Sequence, residues 1–257
     1  MMINNISYTS GKQTNFCGIT FRQPKKLKLF NEIFCSAPIS KNNLKNRDYF
    51  VRIENGYTDN DFSIKIDDND FNEIGTSVLS IKNNKTIYND NIDVNSERRK
   101  YAGAGSIKTL GEIITMLENN MEKIELHSLG QAVYFHSKFK FRPALTNADD
   151  LKDYIAGDVM IRESDKKFEK VCNMAKQWLN KDKSSKSSEN YISEGNNILY
   201  QYLQTVNANK LNRHREFEIY PGFDMVLTRQ NILDDKNYFN NLFKKFGIDY
   251  QISDSFC

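Results

Sequence analysis

Residue types that mark specialised proteins are scarce in this chain. Its 257 residues include 4 Cys, 3 His and 1 Trp. The cysteines lie far apart, at positions 17, 35, 172 and 257, and never form a Cys-x-x-Cys pair. This spacing argues against a clustered zinc site, and a disulfide framework is not expected at this length. We therefore expect no metal, free thiols and a cytoplasmic location.

Long apolar runs are also missing. No stretch approaches the roughly 20 apolar residues needed to cross a bilayer, and the N-terminus lacks the basic start and apolar segment of a secretory signal. The net charge is only +3. A basic patch at Lys25, Lys26 and Lys28 is short and is not interleaved with aromatic residues. We expect neither a membrane nor a nucleic-acid partner.

The residues that are present predict strands first. Residues 1–47 have a weak pattern and are interpreted as an N-terminal extension. Segments rich in β-branched and aromatic residues, separated by turn-forming residues, then predict strands. They cover 49–53, 62–66, 76–81 and 86–94. Asn83 and Asn84 between the last two tolerate the left-handed backbone of a tight hairpin.

The period changes after Arg99. Apolar residues at helical spacing predict a helix that begins in the glycine-rich segment 103–106 and runs to about 117. A strand at 123–129, a short helix at 131–139 and a further strand from 141 follow. This strand-helix-strand order implies at least one parallel pair.

A helical block occupies about 148–212 and precedes strand character at 217–229 and a closing helix at 235–246. The sequence thus predicts an α/β (α+β) fold with a mixed, mainly antiparallel sheet flanked by helices. We expect an extension at 1–47 and a main domain at 48–257, with the helical block inserted before the last strand.

The turn between residues 94 and 106 suits an anion. Free N–H groups at a helix N-terminus and the positive end of its dipole attract phosphate, and glycine allows close approach. Arg98, Arg99 and Lys100 add positive charge. Tight packing alone would also explain glycine at a helix start.

This turn resembles the motif V-x-P-x-x-[RQ]-x-x-G-x-[GA] of the GNAT superfamily of acyl-CoA-dependent N-acyltransferases. One alignment uses Val94, Ser96, Lys100, Gly103 and Gly105. The other places Arg99, Ala102 and Ala104 on the basic and glycine positions. Both registers stay open, because the first makes the turn one residue longer than the motif.

A second segment is similar to the family pattern A-x-x-[FL]-Y-x-K-x-G-F. Four residues agree: Ala132, Phe135, Lys138 and Phe141. His136 stands at the position of the tyrosine, and Lys140 replaces the glycine. The two motifs occur in the family's order, with a predicted helix and strand between them.

The resemblance implies a fold, a donor and a set of binding residues. The donor would be acetyl-CoA, with the backbone of Ile92, Asp93 and Val94 on its pantetheine arm. The pyrophosphate would lie against the turn that contains Arg99, Lys100, Ala102, Gly103, Ala104, Gly105 and Ser106. This requires the strand that ends at residue 94 to part from its neighbour.

The resemblance also implies direct attack of a primary amine on the thioester. His136 is the candidate acid for the departing thiolate, with Tyr134 as a weaker alternative. The base is left open among Glu73, Asp90, Asp93 and a chain of water molecules. The acceptor is a small molecule, a peptide N-terminus or a lysine, and a homodimer is left open. The alternative is an inactive relative that binds CoA or a protein partner.

Overall fold

The structure is a computed structural model that describes most of the chain after residue 45. The described residues are 18–20, 28–30, 33–38, 46–56, 58, 60–68, 70, 72–83, 85–94, 103–130, 132–181, 189–209 and 222–252. At 18–20, 28–30, 33–38, 46–49, 55 and 91–94, only the backbone is described.

Two short strands, β1 (Gly18–Thr20) and β2 (Lys28–Phe30), pair with each other in a small antiparallel sheet. In the described part of the chain, the main sheet has eight strands. Its first five form an antiparallel meander: β3 (Ile33–Pro38), β4 (Asn46–Asn55), β5 (Asp61–Asp67), β6 (Glu73–Lys82) and β7 (Thr86–Val94). Asn83 in the β6–β7 turn has a φ of 54°, as the hairpin prediction requires.

Helix α1 (Ala104–Glu118) connects β7 to β8 (Lys123–Leu129), and these two strands are parallel. α1 is buried along almost its whole length because it packs across the meander. Residues that alternate along β5 and β6, such as Ile64 and Leu79, are fully buried on this side. Their neighbours Ser63 and Ser80 are half-buried.

The remaining elements complete the sheet and add a helical block. They are α2 (Ala132–Lys138), β9 (Arg142–Pro143), α3 (Ala148–Arg162), a 3₁₀ turn (Lys166–Phe168), α4 (Glu169–Leu179), α5 (Glu189–Ala208), β10 (Gly222–Thr228), α6 (Arg229–Asp234) and α7 (Lys236–Lys245). β10 lies between β8 and β9 and is antiparallel to both.

Trp178 holds the helical block together. Its ring is fully buried, stacks on Tyr191 at 4.3 Å between ring centroids, and donates its Nε1–H to the Tyr191 carbonyl at 2.9 Å. Gly195 on α5 allows this close approach, because a Cβ there would lie 2.6 Å from the indole. The tryptophan is therefore a core residue.

The predicted fold class is confirmed: the main sheet is mixed and mainly antiparallel, helices flank it, and α3, α4 and α5 lie between β9 and β10. The predicted boundary between extension and main domain at 47 and 48, and the predicted limits of the helical block at 148 and 212, stay predictions. Within the proposed extension, the β3 backbone pairs with β4 of the main sheet. Among the described residues, no helix could cross a membrane. In the described ranges, no group of three or more His, Cys, Asp or Glu side chains could hold a metal ion.

Candidate active site

The central feature is a gap between the two parallel strands. β7 and β8 pair over four positions, from Thr86 opposite Lys123 to Asn89 opposite Leu126. The ladder ends there, although β7 continues to Val94 and β8 to Leu129. Beyond Asn89, β7 still pairs with β6 on its other edge. One edge of each strand therefore faces the gap.

A β-bulge lies where the strands separate. Val78 on β6 is opposite Asn91, whereas the next residue, Leu79, is opposite Asn89. Asp90 is thus the extra residue on β7. A bulge bends its strand and increases the local twist, which explains why β7 leaves β8 immediately after Asn89.

Buried polar contacts fix β7 just before the bulge. The Asn89 side chain donates to Glu112 Oε1 of α1 at 2.9 Å, and Ser77 on β6 donates to the same oxygen at 2.7 Å. All three side chains are buried. Removing one partner would leave a desolvated polar group, which costs about 1–3 kcal/mol. The end of the ladder is therefore firmly attached to α1.

A lysine lies one helical turn before this carboxylate. Lys108 is fully buried, and its Nζ donates to the Thr76 carbonyl of β6 at 3.3 Å. Burial raises the pKa of Glu112, while the Lys108 charge and the hydrogen bonds from Ser77 and Asn89 act in the opposite direction. A charged pair inside the domain is costly unless its hydrogen bonds are made.

The N-terminus of α1 follows the far end of β7. Gly103 caps the helix with a φ of 95°, a conformation that suits glycine. The described cap has no side-chain hydrogen bond, and the first turn contains no acidic residue. Ser106 and Gly105 are half-buried there, whereas Ala104 is buried. Among the described residues, no acidic or capping side chain therefore occupies the positive end of the helix dipole, which attracts anions.

Several predicted binding residues cannot be placed. Arg99, Lys100 and Ala102 lie outside the described residues. Ile92, Asp93 and Val94 are described as backbone only, paired with Ser77, Thr76 and Gly75 of β6. Their other backbone edge lies along the gap, beyond the last β7–β8 pair.

His136 lies on α2 beneath the gap and is only 2% exposed. Its Nδ1 is 2.8 Å from Ser128 Oγ on β8, and its Nε2 is buried without a partner in the described part of the chain. Burial lowers the pKa of His136 to about 3, and the Lys108 charge adds to this effect. The imidazole is therefore neutral at pH 7.

The two candidate carboxylates occupy different places. Asp90 is exposed at the bulge, beside the end of the parallel ladder. Glu73 lies at the start of β6, near the C-terminal end of β7, and its carboxylate is 3.1 Å from Lys65 Nζ. Hydrogen bonds to Glu54 and Glu73 raise the pKa of Lys65. The structure brings Asp90, but not Glu73, to the point where the strands separate.

The second motif also contains an unusual backbone position. Lys140 has a φ of 65°, which is favourable for glycine and strained for other residues. This is the position where the family pattern has Gly. The backbone therefore retains the glycine conformation although the residue is lysine.

A cavity of about 440 Å³ lies beside the α1 N-terminus. Its wall contains Ser106 of α1, Lys138 of α2 and Lys245 of α7, together with aromatic and amide side chains. The aromatic residues are Phe135, Phe139, Tyr238 and Phe246, and the amides are Gln204 and Asn207 of α5. Helices α5 and α7 therefore help to form this cavity beside the N-terminus of α1.

Sequence reasoning gave no role to His127, which the structure places on β8 at the gap. It forms a pair with Asp224 of β10, with 2.8 Å between Nδ1 and Oδ1. Alternation along each strand shows that both residues face away from the buried side. Their pairing could not be read from the sequence, because 97 positions separate them.

No protein-family model matches this sequence, and no curated protein matches it either. Several solved structures do. This chain is similar to GNAT acetyltransferases. One is a GNAT family acetyltransferase from Elizabethkingia anophelis with acetyl-CoA bound, at 20% identity and a TM-score of 0.31. The match covers 34% of this chain and 57% of that one.

Two further GNAT-like matches have comparable scores. The IAA acetyltransferase from Bacillus cereus is 20% identical, with 34% of this chain and 59% of that one covered and a TM-score of 0.30. Nourseothricin acetyltransferase is 14% identical and has a TM-score of 0.31. That match covers 46% of this chain and 73% of the other. The chain thus spans little more than half the length of the first of these GNAT relatives.

Proposed function

We propose that this protein is an acyl-CoA-dependent N-acetyltransferase that transfers an acetyl group to a primary amine. One observation carries the proposal: the β7–β8 ladder ends at Asn89 and Leu126 while both strands continue, and no described side chain caps the N-terminus of α1, the next described element. An extended arm can hydrogen-bond a free strand edge. An anion attached to that arm can bind the helix end.

The donor acetyl-CoA would lie along this path. The backbone of Ile92, Asp93 and Val94 would bind the pantetheine amides, and the N–H groups of 103–106 would bind the pyrophosphate. Arg99, Lys100 and Ala102 would complete the turn. The 440 Å³ cavity suits the nucleotide end, because it combines two lysines with aromatic surfaces that can stack on a base.

The reaction would occur at the strand gap. The amine nitrogen attacks the thioester carbonyl, the C–N bond forms, and the C–S bonding pair leaves with sulfur. A backbone N–H near the Asp90 bulge would stabilise the oxyanion. We propose that Asp90, exposed beside the gap, attracts the ammonium form of the acceptor. Glu73 is the weaker candidate, because it is paired with Lys65.

His136 would contact the departing sulfur from the helix side of the gap. Its low pKa means that it cannot supply a proton as imidazolium at neutral pH. If Ser128 donates to Nδ1, however, the N–H lies on Nε2, which has no partner among the described residues. That group can stabilise developing negative charge by a hydrogen bond.

Donor binding is tested by thermal unfolding in the presence of acetyl-CoA. A ligand at 100 times its dissociation constant stabilises the folded state by about 2.7 kcal/mol. We expect a clear rise in Tm with acetyl-CoA and a smaller rise with adenosine 3′,5′-bisphosphate, which carries only the nucleotide end. If neither raises Tm, the proposal is wrong.

The second candidate is a protein that binds CoA without transferring the acetyl group. The neutral, buried His136 at the family's tyrosine position favours it. Release of free CoA thiol in the presence of amines separates the two functions. Acetyl-CoA binding without thiol release from any amine would favour the binding protein.

The acceptor class stays open among small amines, peptide N-termini and lysine side chains. The similar structures include proteins named for IAA and for nourseothricin, so a small-molecule acceptor is the first class to test. A panel of small amines and a lysine-containing peptide separates these classes by acetylated product mass.

A further inference from the structure

An exposed histidine–aspartate pair lies on the open face of the strand gap. His127 and Asp224 are register partners on β8 and β10, and their side chains are 52% and 69% exposed. An exposed ion pair contributes only about 0–1 kcal/mol to stability. The fold therefore has little need of this pair.

The pair determines which imidazole nitrogen carries the proton. A carboxylate only accepts hydrogen bonds, so the 2.8 Å contact from Asp224 Oδ1 places the N–H of a neutral His127 on Nδ1. The lone pair is then on Nε2. A carboxylate that orients an imidazole in this way prepares Nε2 to accept a proton.

The position of the pair is defined by the end of the ladder. Leu126 is the last β8 residue in the parallel pairing, so His127 is the first residue beyond it. On β7, the first residue beyond the ladder is Asp90. Leu126 and Asn89 are buried on the helix side, whereas His127 and Asp90 are exposed. Both ionisable side chains therefore lie at the mouth of the gap, on the face away from α1 and α2.

Gly222 leaves room for the imidazole. It precedes Asp224 by two residues on β10, and a Cβ at this position would lie 3.1 Å from His127 Nε2 and 2.9 Å from the Ser128 carbonyl. Its φ of +144° also disfavours a side chain. Both ring nitrogens therefore lie on the β10 side of β8, with Nδ1 at Asp224 and Nε2 beside Gly222, where no side chain covers Nε2.

We propose that His127 is the general base for the acceptor amine and that Asp224 is its positioning residue. This inference rests on the proposed acetyltransferase function. His127 Nε2 takes one proton from the ammonium group through one bridging water molecule, and the freed lone pair forms the C–N bond at the thioester carbonyl. The C–S bonding pair leaves with sulfur, which takes the second amine proton and becomes the thiol. His127 then releases its proton to water.

The local charges favour a cationic acceptor. Asp90 on β7 and Asp224 on β10 lie on either side of His127, and Glu125 precedes it by two residues on the same face of β8. Glu125 forms an ion pair with Lys123 at the start of that strand. Because Lys123 neutralises Glu125, the acceptor is attracted by Asp90 and Asp224 alone, and these two carboxylates would raise the local concentration of a protonated amine.

The test compares three variants in an assay of CoA thiol release. The acceptors are phenethylamine, spermidine and a lysine-containing peptide. We expect His127→Ala to lower kcat/KM about 100-fold at pH 7, the lower end of the usual effect of general base catalysis. The loss should shrink as pH approaches the pKa of the amine, because a growing fraction of the amine is then already the free base and needs no general base. Added imidazole should restore part of the activity.

Asp224→Asn should lower kcat/KM at pH 7 about tenfold or more. An amide can also donate to Nδ1 of His127, so it no longer fixes the tautomer of the imidazole. Glu125→Gln is the matched control, since it removes a neighbouring ionisable group that does not contact His127 in the proposal. We expect it to retain activity. Acetyl-CoA should raise the Tm of all three variants as it does that of the wild type.

The outcomes distinguish this inference from the proposed function. Wild-type activity with an unchanged His127→Ala pH profile would overturn the base assignment alone. Acetyl-CoA binding without thiol release from the wild type would also overturn it and would leave donor binding intact. An absence of both binding and thiol release would overturn the acetyltransferase proposal together with the inference.

Discussion

Replacing His136 with glutamine should change how the stability of the protein depends on pH. The folded state holds this imidazole at a pKa of about 3, whereas an unfolded histidine has a pKa of about 6.5. As pH falls below 6.5, the unfolded chain gains a proton at this site and the folded protein does not. Acid therefore favours unfolding through this group.

The expected magnitude follows from proton linkage. With pKa values of about 3 folded and 6.5 unfolded, the site costs about 0.2 kcal/mol at pH 7 and about 2 kcal/mol at pH 5. Further loss would accumulate down to about pH 3. Because His136 is almost fully buried, solvent screening does little to reduce this value.

The assay is urea unfolding of the wild type and His136→Gln at pH 7 and pH 5. The variant loses ring contacts with Phe135 and Phe141 at both pH values, so only the change between them is diagnostic. We expect the wild type to lose about 2 kcal/mol more than the variant over this interval. His127→Gln is the matched substitution at an exposed histidine. Equal losses in the wild type and His136→Gln would refute the neutral, buried imidazole.

Four substitutions test the glycine positions and the left-handed backbone of Lys140. Gly195→Ala should destabilise the protein by about 1–3 kcal/mol in urea unfolding, because its Cβ would lie 2.6 Å from Trp178. Gly111→Ala, also within a helix, should stabilise the protein by about 0.5–1 kcal/mol, because the added Cβ would lie 3.6 Å from its nearest neighbour, on Ile64. A change in unfolding free energy of the same sign for Gly195→Ala and Gly111→Ala would contradict the packing. Gly103→Ala should cost about 1 kcal/mol and weaken acetyl-CoA binding in a Tm titration, and full donor affinity would argue against the pyrophosphate site. Lys140→Gly should be more stable than Lys140→Ala by about 1 kcal/mol, since φ is 65°; equal thermal stability would contradict this backbone strain.

Local sequence patterns were sufficient for most of the fold. The two asparagines at 83 and 84 predicted the β6–β7 hairpin, and β8 has the predicted bounds of 123–129. The apolar period after residue 103 predicted α1. These elements depend on interactions between residues close in the chain, and a single sequence contains that information.

The site was less predictable because its geometry depends on distant residues. Lys108 and Glu112 look like solvated positions on α1 until the helix packs against Ser77 and Asn89. The bulge at Asp90 arises from pairing between β6 and β7, which no local pattern marks. A sequence motif could place His136 on α2, but its burial is a property of the assembled fold.

The strand order has a consequence for synthesis of the chain. β10 lies between β8 and β9, although both precede it in the sequence and the helical block separates it from β9. The meander from β3 to β7 pairs only neighbours in sequence and can form as it leaves the ribosome. The second half of the sheet must wait until residue 228 has emerged. A nascent chain arrested before this point would leave exposed the edge of β8 that pairs with β10, along the whole strand from Lys123 to Leu129. We expect such intermediates to require a chaperone.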